Sequence, residues 1–261
     1  MNLFDDENEI MRFFQGVDNK DVFFINFGRE IVLFYNQIHN ENSWVSWVDS
    51  SAKNAPPPDF FNEEHKIMME IMRVDDHAFK KKGKFINPTN AKESERRREI
   101  MSLLSGEQIK NSKIVLNVHS GLPTNEDHNY NFYLTNFKHV LTEHSKKIEL
   151  YRKNHPGYKL AFFVFDESTP YIKVYDKALV KRGPKAGEPV FAEFHRFFLD
   201  SSFLSVFKEL DIDYLVWFAP YKHIQTIEGF ELPKVVIFNM KKNFLKHCIK
   251  YDTDYIMPAE E

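Results

Sequence analysis

The stretch KLAFFVFDESTP, residues 159 to 170, places two adjacent carboxylates, Asp166 and Glu167, directly after an apolar run. A run this uniformly apolar predicts a strand that is buried on both faces, with Asp166 at its carboxyl end. In open α/β sheets, ligands bind beyond the carboxyl ends of parallel strands, because side chains and helix N-termini converge there. We therefore expect Asp166 to face a polar cleft at that edge.

Three further side chains are expected near Asp166 and complete a predicted metal site. His119 follows the apolar run KIVLNV, Asp127 precedes a long helical pattern, and Asp76 follows EIMRV. Carboxylates favour Mg²⁺ or Mn²⁺, and we predict one of these ions, held by Asp166, Asp76, His119 and Asp127. In the simpler alternative, Asp166 caps the turn formed by Ser168, Thr169 and Pro170, and the residues near Asp127 cap the helix.

Candidate catalytic groups lie in the segments that follow. YIK carries Lys173, and AEFH carries Glu193 and His195. In a metal-dependent phosphodiesterase, Asp166 and Glu193 or Asp76 would hold the ion, while Lys173 or His195 would orient the attacking water. The predicted catalytic set is therefore Asp166, Glu193, Lys173 and His195.

Two basic sequences are candidate contacts to nucleic-acid phosphates. KKKGK contains Lys80, Lys81 and Lys82 between Phe79 and Phe85, and Arg97 lies within RRR. Basic side chains interleaved with aromatic rings suit phosphate binding backed by base stacking. Each sequence is also typical of an ordinary solvated surface.

Part of this pattern is similar to that of the restriction-endonuclease-like nucleases, which combine a helix Glu, a strand-end Asp and a Glu-x-Lys on the next strand. Glu70 corresponds to the first position and Asp166 to the second. At the third position the chain departs from the pattern, because Lys173 lacks the acid and Glu193 is followed by His195 instead of lysine. The similarity covers about the middle half of the chain and implies metal-dependent phosphodiester cleavage.

Composition excludes several classes of protein. The chain has 261 residues, a formal net charge of -3, 43% hydrophobic residues and a single cysteine, Cys248. It therefore has enough apolar surface to fold, forms no intramolecular disulfide and suits a reducing compartment such as the cytoplasm. Its acidic N-terminus does not resemble a signal peptide, and no run of eighteen apolar residues occurs, so we expect no membrane partner.

The hydrophobic patterns predict an α/β fold with a mostly parallel central sheet flanked by helices. Residues 1–55 are predicted as an N-terminal antiparallel hairpin or meander, and residues 62–261 as the main domain, or as part of one continuous domain. The predicted helices cover residues 7–15, 62–74, 130–154 and 203–210, with a short charged one in KESERRREIMSLL. The predicted strands cover residues 21–27, 30–36, 43–49, 113–118, 159–166, 171–176, 190–198, 213–219 and 234–240.

The sequence leaves two classes of function open. One is a metal-dependent, nuclease-like hydrolase that acts on a phosphodiester, with nucleic acid as partner. The other is a non-enzymatic interaction or regulatory protein, because 15% aromatic residues exceeds what a core of this size needs and would serve a protein partner or homo-oligomer.

Overall fold

The computed structural model describes residues 6–51, 57–76, 79–81, 84–86, 129–185, 188–222, 224–226 and 229–259. The α-helices are α1 (Glu7–Gln15), α2 (Arg29–His39), α3 (Glu41–Trp44), α4 (Tyr130–Ser145), α5 (Ile148–Asn154), α6 (Lys177–Arg182) and α7 (Ser201–Leu204). The strands of the main sheet are β1 (Val22–Ile25), β2 (Val48–Asp49), β3 (Phe60–Asn62), β4 (Ile67–Val74), β7 (Lys159–Asp166), β10 (Tyr214–Phe218) and β13 (Val235–Asn239). The remaining strands are β5 (Phe79–Lys81), β6 (Lys84–Ile86), β8 (Tyr171–Val174), β9 (Ala192–Phe194), β11 (Ile224–Thr226), β12 (Gly229–Leu232) and β14 (Ile256–Pro258).

A seven-stranded mixed sheet in the order β1-β13-β10-β7-β4-β3-β2 forms the centre of the fold. The pairs β1–β13, β10–β7 and β7–β4 are parallel, whereas β13–β10, β4–β3 and β3–β2 are antiparallel. The predicted α/β class with a helix-flanked sheet is confirmed. The sheet is less parallel than predicted, because β2, β3 and β4 form a meander and β13 returns beside β10.

Both faces of the sheet are buried, as the apolar run of β7 predicts. Leu160, Phe162 and Val164 pack on the face that α4 covers. Ala161, Phe163 and Phe165 pack on the other face with α1 and α2. Within the described ranges, no helix is long and apolar enough to span a membrane.

The helix predicted over residues 62–74 is wrong, because Ile67–Val74 forms strand β4. The spacing of Ile67, Met68, Ile71 and Met72 matches one helical face, but these residues belong to a continuous apolar run. Such a run fits a helix or a strand buried on both sides, and periodicity alone does not separate the two. Here the strand lies between β3 and β7, which decides the outcome.

The N-terminal hairpin is also wrong in part. Val22–Ile25 forms β1, but the predicted second strand is helix α2, which buries Ile31, Phe34, Tyr35 and Ile38 at helical spacing. The third predicted strand begins as helix α3, and only Val48–Asp49 is extended. Because β1 and β2 lie at opposite ends of the sheet, residues 22–49 share that sheet with the rest of the chain.

Several other predicted elements are present in the structure but are shorter than predicted or divided in two. The helix predicted over residues 130–154 is divided into α4 and α5, and the strand predicted over 190–198 is only Ala192–Phe194. The helix predicted over 203–210 is the short α7 followed by one 3₁₀ turn. The predicted strand at 113–118 and the helix in KESERRREIMSLL lie outside the described residues.

Candidate functional site

Three charged side chains meet at one edge of the sheet, where the parallel strands β4, β7 and β10 all end. Asp166 is the last residue of β7, Asp76 follows β4, and Lys222 follows β10. Their exposed fractions are 0%, 0% and 1%. We call this group the carboxyl-edge cluster.

The carboxylate of Asp166 is saturated with hydrogen bonds. Its Oδ2 accepts from Tyr133 Oη at 2.5 Å, from Trp217 Nε1 at 2.8 Å and from Lys222 Nζ at 2.9 Å. Its Oδ1 accepts from the backbone N and the Oγ of Ser168, at 3.0 and 2.5 Å. Asp166 therefore caps the turn after β7, and the cation that it faces is the ammonium group of Lys222.

Lys222 is held in an apolar and aromatic environment. Its Nζ donates to Tyr133 Oη at 2.7 Å and lies 3.9 Å from the centre of that ring and 4.7 Å from the Phe197 ring. Burial lowers the pKa of Lys222, while Asp166 opposes this effect. Burial, followed by the charge of Asp166, raises the pKa of Tyr133 well above its usual value. Lys222, like Asp166, comes shortly after a buried apolar run, here YLVWFA. The sequence analysis nevertheless did not predict Lys222 as a site residue.

Asp76 binds the same turn from the β4 side. Its Oδ2 accepts from the backbone N of Thr169 at 3.1 Å and from Tyr171 Oη at 2.8 Å. Asp76 and Asp166 therefore lie at the same edge and fix the chain between β7 and β8.

The other predicted catalytic residues are divided between two places. Lys173 and Glu193 lie side by side on the antiparallel strands β8 and β9, with Nζ 3.7 Å from Oε2, and both are partly exposed. His195 is buried, and its Nε2 lies 2.7 Å from Asp200 Oδ2, which also accepts from Tyr130 Oη at 2.5 Å. Burial lowers the pKa of His195, although Asp200 partly offsets this. The predicted catalytic set is therefore not brought together as one group around Asp166.

Several predicted residues lie beyond what the structure describes. His119, Asp127, Lys82 and Arg97 are outside the described ranges, and for Lys80 and Lys81 only the backbone of the β5–β6 hairpin is described.

A second cluster, which sequence reasoning missed, contains two facing carboxylates. The register of β3 and β4 pairs Phe60 with Met69, so Asp59 lies opposite Glu70. Glu70 is 3% exposed in the middle of β4, and its Oε1 lies 2.7 Å from His144 Nδ1 and 4.0 Å from Lys147 Nζ. We call Asp59, Glu70 and His144 the carboxylate-pair cluster.

One oxygen of this pair has no hydrogen bond of good geometry. Glu70 Oε2 and the Oη of Tyr151 are both buried and lack a well-aligned partner. The two side chains are nevertheless close enough to interact, because burial, the charge of Glu70 and a hydrogen bond to Glu70 raise the pKa of Tyr151. Asp59 Oδ2 accepts from the backbone N of Ile71 at 2.7 Å. Unsatisfied buried polar atoms are rare in native proteins and call for an explanation.

The electrostatics of the pair are unfavourable, and the charge of Lys147 compensates them only in part. Burial first, and then the negative charge of Glu70, raise the pKa of Asp59 to about 7. Like charges that share a site resist ionisation together, so the pair favours binding of a proton or a cation. The sequence does indicate that Glu70 is unusual, because it is a charged residue within the apolar run IMMEIM. Since that run was predicted as a helix, the pairing of Glu70 with Asp59 on a neighbouring strand was not predicted.

The pairing of Glu70 with Asp166 that the nuclease pattern implied does not occur. Glu70 lies beside Phe162 in the parallel pair β4–β7, whereas Asp166 lies beside Val74. Four residues of strand, roughly 13 Å, separate the two levels. Glu70 also belongs to a strand, so it does not occupy the helix position of that pattern.

The chain matches no protein-family model, no curated protein and no solved structure. In the described part of the chain, no three His, Cys, Asp or Glu side chains are already arranged to hold a metal ion. A functional conclusion therefore depends on the chemistry of the two clusters.

Proposed function

We propose that this chain is a metal-dependent, phosphodiester-cleaving protein whose ion is bound by Asp59 and Glu70. The observation that carries the proposal is a pair of facing carboxylates in which the buried Oε2 of Glu70 has no hydrogen bond of good geometry. A divalent cation between the two groups would satisfy that oxygen and remove the repulsion that raises the pKa of Asp59 to about 7.

The donor set suits Mg²⁺ or Mn²⁺. Mg²⁺ keeps several waters and is commonly bound by one or two carboxylates together with substrate phosphates, so two protein carboxylates are sufficient. The imidazole of His144, whose Nδ1 lies 2.7 Å from Glu70 Oε1, is not counted among the ligands and remains available to carry a proton. At Asp166, by contrast, five donors already occupy the carboxylate.

The nuclease pattern of the sequence analysis has partial counterparts around this pair. Glu7 lies at the start of α1 and contributes to the raised pKa of Asp59, and Glu70 lies on strand β4. Asp59 directly precedes β3, so it stands at the start of a strand and not at its end as in the pattern. Met72 replaces the lysine of Glu-x-Lys, and the Nζ of Lys147, 4.0 Å from Glu70, provides an ammonium group beside the same carboxylate.

The roles follow from this arrangement. The ion would polarise a phosphoryl oxygen and lower the pKa of a bound water. Lys147, which is exposed, would contact a substrate phosphate, and His144 would exchange a proton with the attacking water. Nucleic acid is the proposed substrate class, on the basis of the sequences KKKGK and RRR, and the cytoplasm is the proposed compartment, since the chain has one cysteine.

Calorimetric titration with MgCl₂ and MnCl₂ tests ion binding directly. We expect the wild type to bind one of them and Asp59→Asn and Glu70→Gln to lose that binding, while Glu143→Gln, an exposed acid on the same helix as His144, binds as the wild type does. Absence of binding to the wild type at millimolar ion would contradict the proposal.

Cleavage is tested on single- and double-stranded DNA and RNA, with and without EDTA. We expect activity that requires the ion and falls by about 10²-fold or more in Asp59→Asn, as for the loss of a central electrostatic group. Equal activity in Asp59→Asn and the wild type would exclude this pair as the catalytic centre.

A further inference from the structure

Among the described residues, the edge of the main sheet at β1 is open to a further strand. β1 is the last strand in the order and pairs with β13, and no other described strand pairs with its outer side. The N–H and C=O groups of alternate residues in such a strand point outward and are able to pair with an added strand.

An apolar groove accompanies this edge on the face that α4 covers. It has a volume of about 380 Å³ and is lined by Phe23, Ile25, Arg196, Phe198, Leu199, Pro233 and His247. Phe23 and Ile25 lie in register with Val236 and Phe238, which belong to the core of the same face. A strand added beside β1 would therefore place every second side chain in this groove.

The sequence of β1 lacks the usual protection of an edge strand. Natural edge strands carry Lys, Pro or inward-pointing charges that prevent further pairing, but β1 reads VFFI. Phe23 is 46% exposed, although its ring centre lies 5.8 Å from that of Phe198. An exposed apolar edge beside an apolar groove is typical of an interaction site.

The surroundings of this edge carry an excess of positive charge. Arg196 lines the groove, and Lys242 Nζ lies beside Gly28, 3.3 Å from the position that a Cβ atom at Gly28 would take. Lys20 precedes β1 and is paired with the exposed Asp18 at 3.4 Å. The nearby acid Asp21 is buried and paired with Lys234 at 2.8 Å. This basic rim stands out in a chain of net charge -3.

We infer that the β1 edge binds an extended, acidic segment of a partner protein by strand addition. Backbone pairing with β1 would provide affinity, and alternate apolar side chains in the groove would provide specificity. Acidic residues at the ends of the segment, beyond the apolar side chains, would face the basic rim. A second copy of this chain fits less well, because two β1 edges side by side would bring the same positive charges together.

Fluorescence anisotropy with synthetic labelled peptides tests the inference. The probes are peptides of about seven residues, the length of one strand with its flanks, with Val, Phe and Ile at alternate positions and either Glu or Lys at both ends. We expect the Glu peptide to bind and the Lys peptide not to bind. Equal binding of both peptides, or binding of neither, would overturn the proposal.

Matched variants locate the binding. Phe23→Lys and Arg196→Glu should each weaken binding of the Glu peptide by about tenfold or more, as for a groove residue or a charge partner. Val45→Lys, at an 84% exposed apolar residue outside the groove, should leave it unchanged. The same loss in Val45→Lys would show that the effect is not specific to the β1 edge and would contradict the proposal. If Phe23→Lys does not fold by circular dichroism, the exposed Arg196→Glu decides alone.

The oligomeric state of the wild type tests the alternative that a second copy of this chain covers the β1 edge. A monomer by light scattering, at concentrations where the Glu peptide binds, is the expected result. A dimer that Phe23→Lys converts to a monomer would mean that a second copy covers this edge, and the inference of an acidic partner would be wrong.

Discussion

At the scale of single residues, the two buried clusters differ in how their charges are compensated. Asp166 has Lys222 and further hydrogen-bond donors, whereas Asp59 and Glu70 face each other and share only the more distant ammonium group of Lys147, 4.0 Å from Glu70. Two buried carboxylates that face each other are costly to ionise together. The carboxylate pair is therefore the better candidate for chemistry, and the Lys222 pair the better candidate for stability.

Asp59→Asn should make the protein more stable at pH 8. The pKa of Asp59 is raised from 3.8 to about 7, so the folded state holds this proton more tightly than the unfolded state does. That stabilisation is fully present below pH 4 and is lost as the pH rises through 7, by roughly 1–3 kcal/mol after allowance for partial exposure. Asn never ionises, so it avoids the loss.

Urea unfolding in EDTA at pH 4 and pH 8 measures this effect. The free energies of unfolding of Asp59→Asn and the wild type should agree near pH 4 and differ at pH 8, with the variant higher. A variant that is less stable at pH 8 would mean that the charge of Asp59 is already compensated in the free protein.

Lys222→Met should destabilise the protein by roughly 3–5 kcal/mol, because it leaves Asp166 buried without its cation. The double variant Lys222→Met/Asp166→Asn should recover part of this loss, since the remaining group is neutral. Equilibrium unfolding of the wild type, Lys222→Met, Asp166→Asn and the double variant gives the coupling energy between the two side chains. Lys208→Met, at an exposed lysine, is the control and should change stability by less than about 0.5 kcal/mol. Full additivity of the two changes would show that the pair contributes no coupling.

At the scale of secondary structure, the errors of prediction fall where an apolar run is compatible with more than one element. EIVLFYN was predicted as a strand and is part of α2, and IMMEIMRV was predicted as a helix and is β4. In both, most positions are apolar, so local sequence records burial but not backbone geometry. β7 was predicted correctly because its aromatic and β-branched residues favour a strand.

Phe163→Ala should cost roughly 3–5 kcal/mol of stability, because the side chain is fully buried in the middle of β7 and its ring packs edge-on against Phe14 at 5.2 Å. Urea unfolding should show a lower midpoint with an unchanged slope. Phe27→Ala is the matched control, since Phe27 is 71% exposed and should change stability little. An equal cost at both positions would show that β7 is not the centre of the core.

At the scale of the whole molecule, the sheet joins segments that are far apart in the sequence. β1 and β2 occupy its two ends, while β7 pairs with β4 on one side and β10 on the other. Each cluster depends on this order, because the carboxyl-edge cluster needs three parallel strands to end together and the carboxylate pair needs the β3–β4 register.

The sequence by itself determined the α/β class, the central position of β7 and the place of Asp166 at the carboxyl end of that strand. These follow from local composition and from a general rule about parallel strands. Only the tertiary structure decided that Lys222, 56 residues from Asp166, is its ion partner, and that Asp59 lies opposite Glu70. The physical reason is that a sequence pattern reports whether a residue is buried, whereas its partner depends on strand order and register, which long-range packing sets.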